Sequence, residues 1–156
     1  MSTMRNLLTD MSPEVREALL AHSHHVDFPA GSRIFEEHMR ADRFWIIEYG
    51  TVALDMHVPG RKAAVVAALG PGDLLGWSWM LPPYTWHLGA TATHAVGALE
   101  FDARAVRELC AADPVVGRSV ATGVAAVIAD RLSASRSRLL DMFGPYASGR
   151  PLADAS

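Results

Sequence analysis

The chain has 156 residues, half of them apolar, and a net charge of −3 with its histidines neutral. That length supports one domain with a real core, and the slight acidity argues against a dedicated nucleic-acid binder, which carries a basic surplus. A single cysteine excludes an intrachain disulfide and points to a reducing, cytoplasmic compartment. No stretch reaches the ~20 apolar residues of a membrane span, and "MSTMRNLLTDMSPEVREALL" lacks the apolar run of a signal peptide.

"SPEVREALLAH" predicts a short helix with Ser12 as cap, Pro13 at its first position, and Val15, Leu19 and Leu20 facing a core. "HSHH" reads as the exposed polar end of that helix, entering a loop. "FPAGSRIF" then turns the chain at Pro29-Ala30-Gly31. In "RFWIIEYGTVALDMHV" Val52, Leu54, Met56 and Val58 alternate with Thr51, Ala53, Asp55 and His57, a strand with one buried face. Gly50 divides it into two strands or marks a bulge. "AAVVAALG" is a further strand, apolar on both faces and therefore expected inside. Across "WHLGATATHAVGALEF", Trp86, Leu88, Ala90 and Ala92 share a face, with His94 on it and His87 opposite. Short strands at near-regular spacing between glycine-rich turns predict a sandwich or jelly roll. Asp102 caps "ARAVRELCAA". Asp113-Pro114 starts a long helix whose stripe runs through Val116, Val120, Val124, Val127, Ile128, Leu132, Ser135, Leu139 and Met142. Gly144-Pro145 is expected to end it, leaving one domain over 1–144, with the long helix at 114–142, and a small, polar, flexible tail at 145–156.

"FPAGSRIFEEHMRADRFWIIEYGTVAL" resembles the opening of the cyclic-nucleotide-binding domain of catabolite-activator-type regulators, and "LGPGDLLG" resembles that family's later L-x-x-G-D-x-x-G turn. The resemblance runs from about Ser12 to Met142. It implies a mainly β fold, a double-stranded β-helix (jelly roll) with flanking helices. It also implies a C-terminal helix that pairs with its twin in a homodimer, here through Val116, Val120, Gly123, Val124, Val127, Ile128, Leu132 and Leu139. In these regulators a helix-turn-helix domain follows. "YASGRPLADAS" has no room for one, so the sensor half is expected without its DNA reader, and no specific nucleic-acid or membrane partner is predicted.

The same resemblance locates the family's phosphate-binding cassette after the Gly-Asp turn. There a glutamate accepts the ribose hydroxyl, and an arginine followed by Ser or Thr takes the cyclic phosphate, because a buried anion needs a charge-assisted donor. In this chain the glutamate position matches Trp77, the arginine position Trp86 and the next position His87. Both anchors are indoles, so ordinary cyclic AMP or cyclic GMP binding is not expected. The pocket would be lined by Leu75, Gly76, Trp77, Ser78, Trp79, Trp86, His87 and Leu88, with Ser135 and Arg136 from the long helix. Three readings stay open. Trp77, Trp79 and Trp86 fill the vacated cavity and leave a rigid dimeric module; or they line a pocket for a flat apolar or aromatic effector or support a protein partner; or His87 or an Arg136 from a second copy restores the lost charge.

No cofactor is predicted. Haem is one member of the flat-effector class, and His87, His94 and His38 are the ligands to test. His22, His24 and His25 lack the spacing of a metal set. Cys110 lies beside Val106 and Leu109 and reads as an inert, buried thiol. Arg131, Arg136 and Arg138 complement the helix dipole or meet an acidic partner. Catalytic motifs of nucleophile, phosphate-loop or metallopeptidase type are missing. A cupin-like metalloenzyme would need inward His and carboxylate ligands, where these strands present mainly apolar residues. The expected role is therefore non-catalytic and regulatory.

Overall fold

The computed structural model describes residues 7–147. They fall into two units, one ending at Val124 and one beginning at Ala125. In the first unit the opening helix α1 spans Pro13–Leu20, and the Ser12 hydroxyl accepts from the Val15 N–H at 3.4 Å. Val15 and Leu19 are its buried residues, at the four-residue spacing that keeps one face inward.

The histidine-rich stretch after it is a strand and not a helix end in a loop. β1 covers Ser23–Phe28 and pairs antiparallel with β8, Val96–Asp102, along its whole length, so that His24 stands opposite Glu100. β2, Arg33–Phe35, is likewise a strand where a turn was expected, and it pairs with β7, Gly89–Ala92. Both are short and rich in polar residues. Their partners lie more than fifty residues away, so no local period announces them.

β3 (Arg43–Tyr49) and β4 (Val52–Met56) flank Gly50 as the sequence predicts. The alternation in β4 is broken, however. Val52, Ala53, Leu54 and Asp55 are all buried and Met56 is exposed. A register shift between Leu54 and Asp55 carries the carboxylate inward. Arg33 grips it with both terminal nitrogens, at 2.5 and 3.0 Å, while also holding Glu36 and Thr91. A carboxylate only 7% exposed is stable there because this fork compensates its lost hydration. β5, Ala64–Leu69, is an edge strand and not an interior one; Val65 is exposed. Its apolarity comes from small residues, and the sheet order places it outermost. The two antiparallel sheets run β1-β8-β3-β6 and β2-β7-β4-β5, with β6 at Leu74–Leu75. This is the expected jelly-roll architecture.

On the outer face of the first sheet His25 sits between two carboxylates, Nδ1 to Glu48 at 2.7 Å and Nε2 to Asp27 at 3.0 Å. The Tyr49 hydroxyl donates to the same Asp27 oxygen. Glu48, and then Asp27, push the imidazole above its ordinary 6.5. Tyr49, and then His25, hold Asp27 below its ordinary 3.8. The raised histidine stabilises the fold fully below pH 6.5 and loses that contribution as pH rises through its folded value. The lowered aspartate contributes above pH 3.8 and loses it as pH falls through its folded value. Urea unfolding of wild type and His25→Gln should therefore show a small gap, widest between these limits and closing as pH rises through the folded value of His25; a gap that persists unchanged into strong alkali would refute it. The effect is small because the cluster is solvent-exposed.

Asp102 caps α2, Ala103–Ala112, by accepting from the Ala105 N–H at 3.1 Å. Asp113 receives the Val115 and Val116 N–H groups and starts α3, Pro114–Ala147. The helix does not stop at Met142 but continues through Gly144-Pro145. Glycine ahead of proline has no Cβ to clash with the ring, and proline keeps a helical φ. Residues 148–156 of the predicted tail lie outside the described residues.

The assignment of the helix stripe needs correction. Val116, Val120 and Val124 are buried within this chain. A Cβ on Gly117 would lie 2.6 Å from the Cys110 carbonyl oxygen, and one on Gly123 would collide with Leu7. The resemblance implies a partner helix for Val116, Val120, Gly123 and Val124, but their own chain covers them. In the second unit the face opens. Val127 and Ile128 are half-buried, while Leu132, Leu139, Leu140, Met142 and Phe143 are exposed. Among the described residues no helix is long and apolar enough to cross a membrane.

Candidate functional site

The segment from β6 to β7 is where the resemblance puts the cassette. After Leu75 the chain turns at Gly76 with φ +97°, then makes a single 3₁₀ turn over Ser78–Met80. Gly76 is required twice. Its φ is unfavourable for a side chain, and a Cβ there would lie 2.6 Å from the Trp86 ring.

Trp79 points into the core. It is fully buried, stacks on Phe44 at 4.1 Å, and donates its indole N–H to the Gly76 carbonyl at 3.0 Å. Phe44 stacks in turn on Phe101. Trp86 forms a second aromatic stack. It is 4% exposed and lies flat on Phe35, with centroids 3.9 Å apart, and against Trp45 at 6.1 Å. Phe28 closes that stack edge-on to Trp45. The backbone pins Trp86 as well: its N–H donates to Met39 and its carbonyl accepts from His38. Trp77 differs. It is half-buried and stacks on the His87 ring at 5.3 Å, and His87 Nδ1 pairs with the Ser78 hydroxyl at 2.9 Å.

The structure thus brings Leu75, Gly76, Trp77, Ser78, Trp79, Trp86, His87 and Leu88 into one region. Ser135 and Arg136 are exposed residues of α3 in the second unit. His94 does not share the Trp86 face. β7 spans only Gly89–Ala92, Trp86 precedes it, and His94 sits exposed in the following turn near the Thr93 hydroxyl. His38 is an exposed loop residue at φ 70°. His87 and His94 therefore flank opposite ends of β7 and do not converge on an interior site. Among the described residues no three His, Cys, Asp or Glu side chains are grouped to hold a metal ion. Cys110 is half-buried, and burial pushes its thiol up, in keeping with an unreactive thiol.

Phe28, Phe35, Phe44 and Trp45 were not foreseen as partners of the tryptophans. The only signal was the presence of aromatic residues along β1, β2 and β3, which does not say what they stack on. Arg107 touches the cassette from outside: it donates to the Trp79 carbonyl at 2.8 Å and lies over the Tyr84 ring at 4.3 Å. At the place where the resemblance puts a phosphate, the described contacts supply aromatic faces and no cation.

A family model described as "Cyclic nucleotide-binding domain" matches residues 25–113. A CRP-like cAMP-activated global transcriptional regulator of Mycobacterium tuberculosis is 28% identical over 140 residues, which cover 90% of this chain and 61% of that protein. The chain thus spans about three fifths of the length of the curated relatives it matches. A solved protein of Geobacter metallireducens GS-15 superposes with a TM-score of 0.74 at 26% identity, covering 82% of this chain and 92% of the other. The catabolite activator protein of Thermus thermophilus superposes with a TM-score of 0.68 at 24% identity, covering 88% and 62%.

Proposed function

The chain belongs to the cyclic nucleotide-binding domain family, and from that premise we propose that it is a non-catalytic regulatory module whose cassette is closed from within by tryptophan. Its output passes through protein contacts, first of all with a second copy of itself, and not through a cyclic nucleotide. The observation that carries this reading is the position of Trp86. Where the family places a phosphate-binding arginine, an indole lies stacked on Phe35 and Trp45.

A cyclic nucleotide would have to displace that ring and then bury its phosphate beside aromatic faces. An unpaired buried anion costs several kcal/mol. The indole N–H is one donor, and a guanidinium offers a planar fork. The stacking also favours the filled-cavity reading over an apolar effector pocket. The one ring of the three left partly open is Trp77, over His87, and any flat effector would enter there. The exposed apolar face of the distal α3 supports self-association. With a net charge of −3, no sequence-specific nucleic-acid reading is assigned to this module.

Titration calorimetry with cyclic AMP and cyclic GMP should give no heat of binding up to about a hundred micromolar, where a site worth ~7 kcal/mol would saturate. Tryptophan fluorescence should stay unchanged. A saturable isotherm with either nucleotide would overturn the closed-cassette reading.

A further inference from the structure

The first unit carries a groove of about 660 Å³ that borders the aromatic core at Phe101. Its walls are the starts of β1 and β3, the end of β8 and the first turns of α2. The closed cassette makes no use of it. Four arginines line it, Arg40, Arg43, Arg104 and Arg107, against three carboxylates, with His22 and His24 at the rim.

Among the lining residues the guanidinium groups exceed the carboxylates by one. Arg40 meets Asp42 through Nε at 2.8 Å, Arg43 meets Glu100 through Nε at 3.7 Å, and Arg104 meets Glu108 through Nε at 3.4 Å. In each pair the shortest contact is through Nε, and the three arginine side chains are 66%, 64% and 82% exposed. Two of the lining carboxylates have further partners. Glu100 also accepts from the Trp45 indole N–H at 2.9 Å and faces His24 at 3.3 Å. Asp102 is occupied in capping α2. The acids therefore anchor arginines whose guanidinium groups stay largely open to solvent around a concave surface. Planar guanidinium forks match the oxygens of a phosphate.

We propose that this groove binds a small anion with a terminal phosphate, a phosphate monoester or a polyphosphate and not a cyclic diester, through Arg40, Arg43 and Arg104. The site lies outside the cassette. Two contacts tie it to the aromatic core. Arg107 holds the Trp79 carbonyl, and Glu100 holds Trp45, whose ring packs against Trp86. Occupancy should therefore change tryptophan fluorescence.

Inorganic pyrophosphate and glycerol 3-phosphate, titrated into the whole chain and followed by calorimetry and tryptophan emission, test this. At least one should bind saturably in dilute buffer, and sodium chloride of matched ionic strength should not reproduce the signal. Saturation by pyrophosphate alone supports a polyphosphate site, and by glycerol 3-phosphate an ester site. Affinity should fall about tenfold or more in Arg43→Gln/Arg104→Gln and hold in Arg61→Gln, a change in the β4–β5 turn. If the double variant fails to fold, Arg104→Gln alone, on the exposed surface of α2, must show the same direction of loss. No saturable binding by either anion, a signal matched by chloride, or equal affinity in the groove variants would overturn the proposal.

Discussion

Replacing Trp86 with alanine is expected to lower the free energy of unfolding by about 3–5 kcal/mol, the range for removing a large aromatic from a packed core. The indole is 4% exposed and shares its faces with Phe35 and Trp45, so truncation leaves a void between two rings that cannot close it without moving two strands. Trp77→Glu combined with Trp86→Arg, which restores the family's charged anchors, should cost more than alanine does. It buries a guanidinium against Phe35 and Trp45, while its new carboxylate enters at Trp77, a ring that stacks on His87 and not on that pair. That variant should unfold at lower urea concentration and still give no heat with cyclic AMP. Chemical unfolding followed by calorimetry decides both points. An unchanged unfolding midpoint in Trp86→Ala would show that the ring is not part of the core. Tight cyclic AMP binding by the double variant in a well-folded state would show that the pocket is intact behind the indole.

The second large effect separates the two parts of α3. Val124→Asp is expected to unfold the first unit, because Val124 is buried in its own chain and an unpaired carboxylate there costs several kcal/mol. Leu132→Asp and Leu139→Asp should leave the melting of a lone chain nearly unchanged, since these side chains are 51% and 53% exposed. The same changes should dissociate the proposed dimer, by placing charge on the apolar face of the distal helix. Sedimentation velocity at micromolar concentration reads the outcome. Wild type sedimenting as a monomer, or Leu132→Asp and Leu139→Asp sedimenting as wild type, would remove the proposed self-association.

The order of the helices and of the central strands could be read from the sequence alone, because the signals that set them are local. Ser12, Asp102 and Asp113 cap helices by bonding N–H groups two or three residues ahead, and Gly50 separates β3 from β4 because its backbone lies at φ +93°. The proposed replacement of the family's charged anchors by Trp77 and Trp86 likewise rests on residue identity along a motif. Tertiary structure alone decided what depends on distant partners. β1 and β2 are strands because β8 and β7 supply their hydrogen bonds, and β5 is an edge strand because of the order of its sheet. Asp55 is buried because Arg33 reaches it across twenty-two positions. The stripe of α3 reads as one apolar face, yet its first turns are covered by their own chain and its later residues are not. Hydrophobic periodicity states that a face is to be buried but carries no information on what buries it.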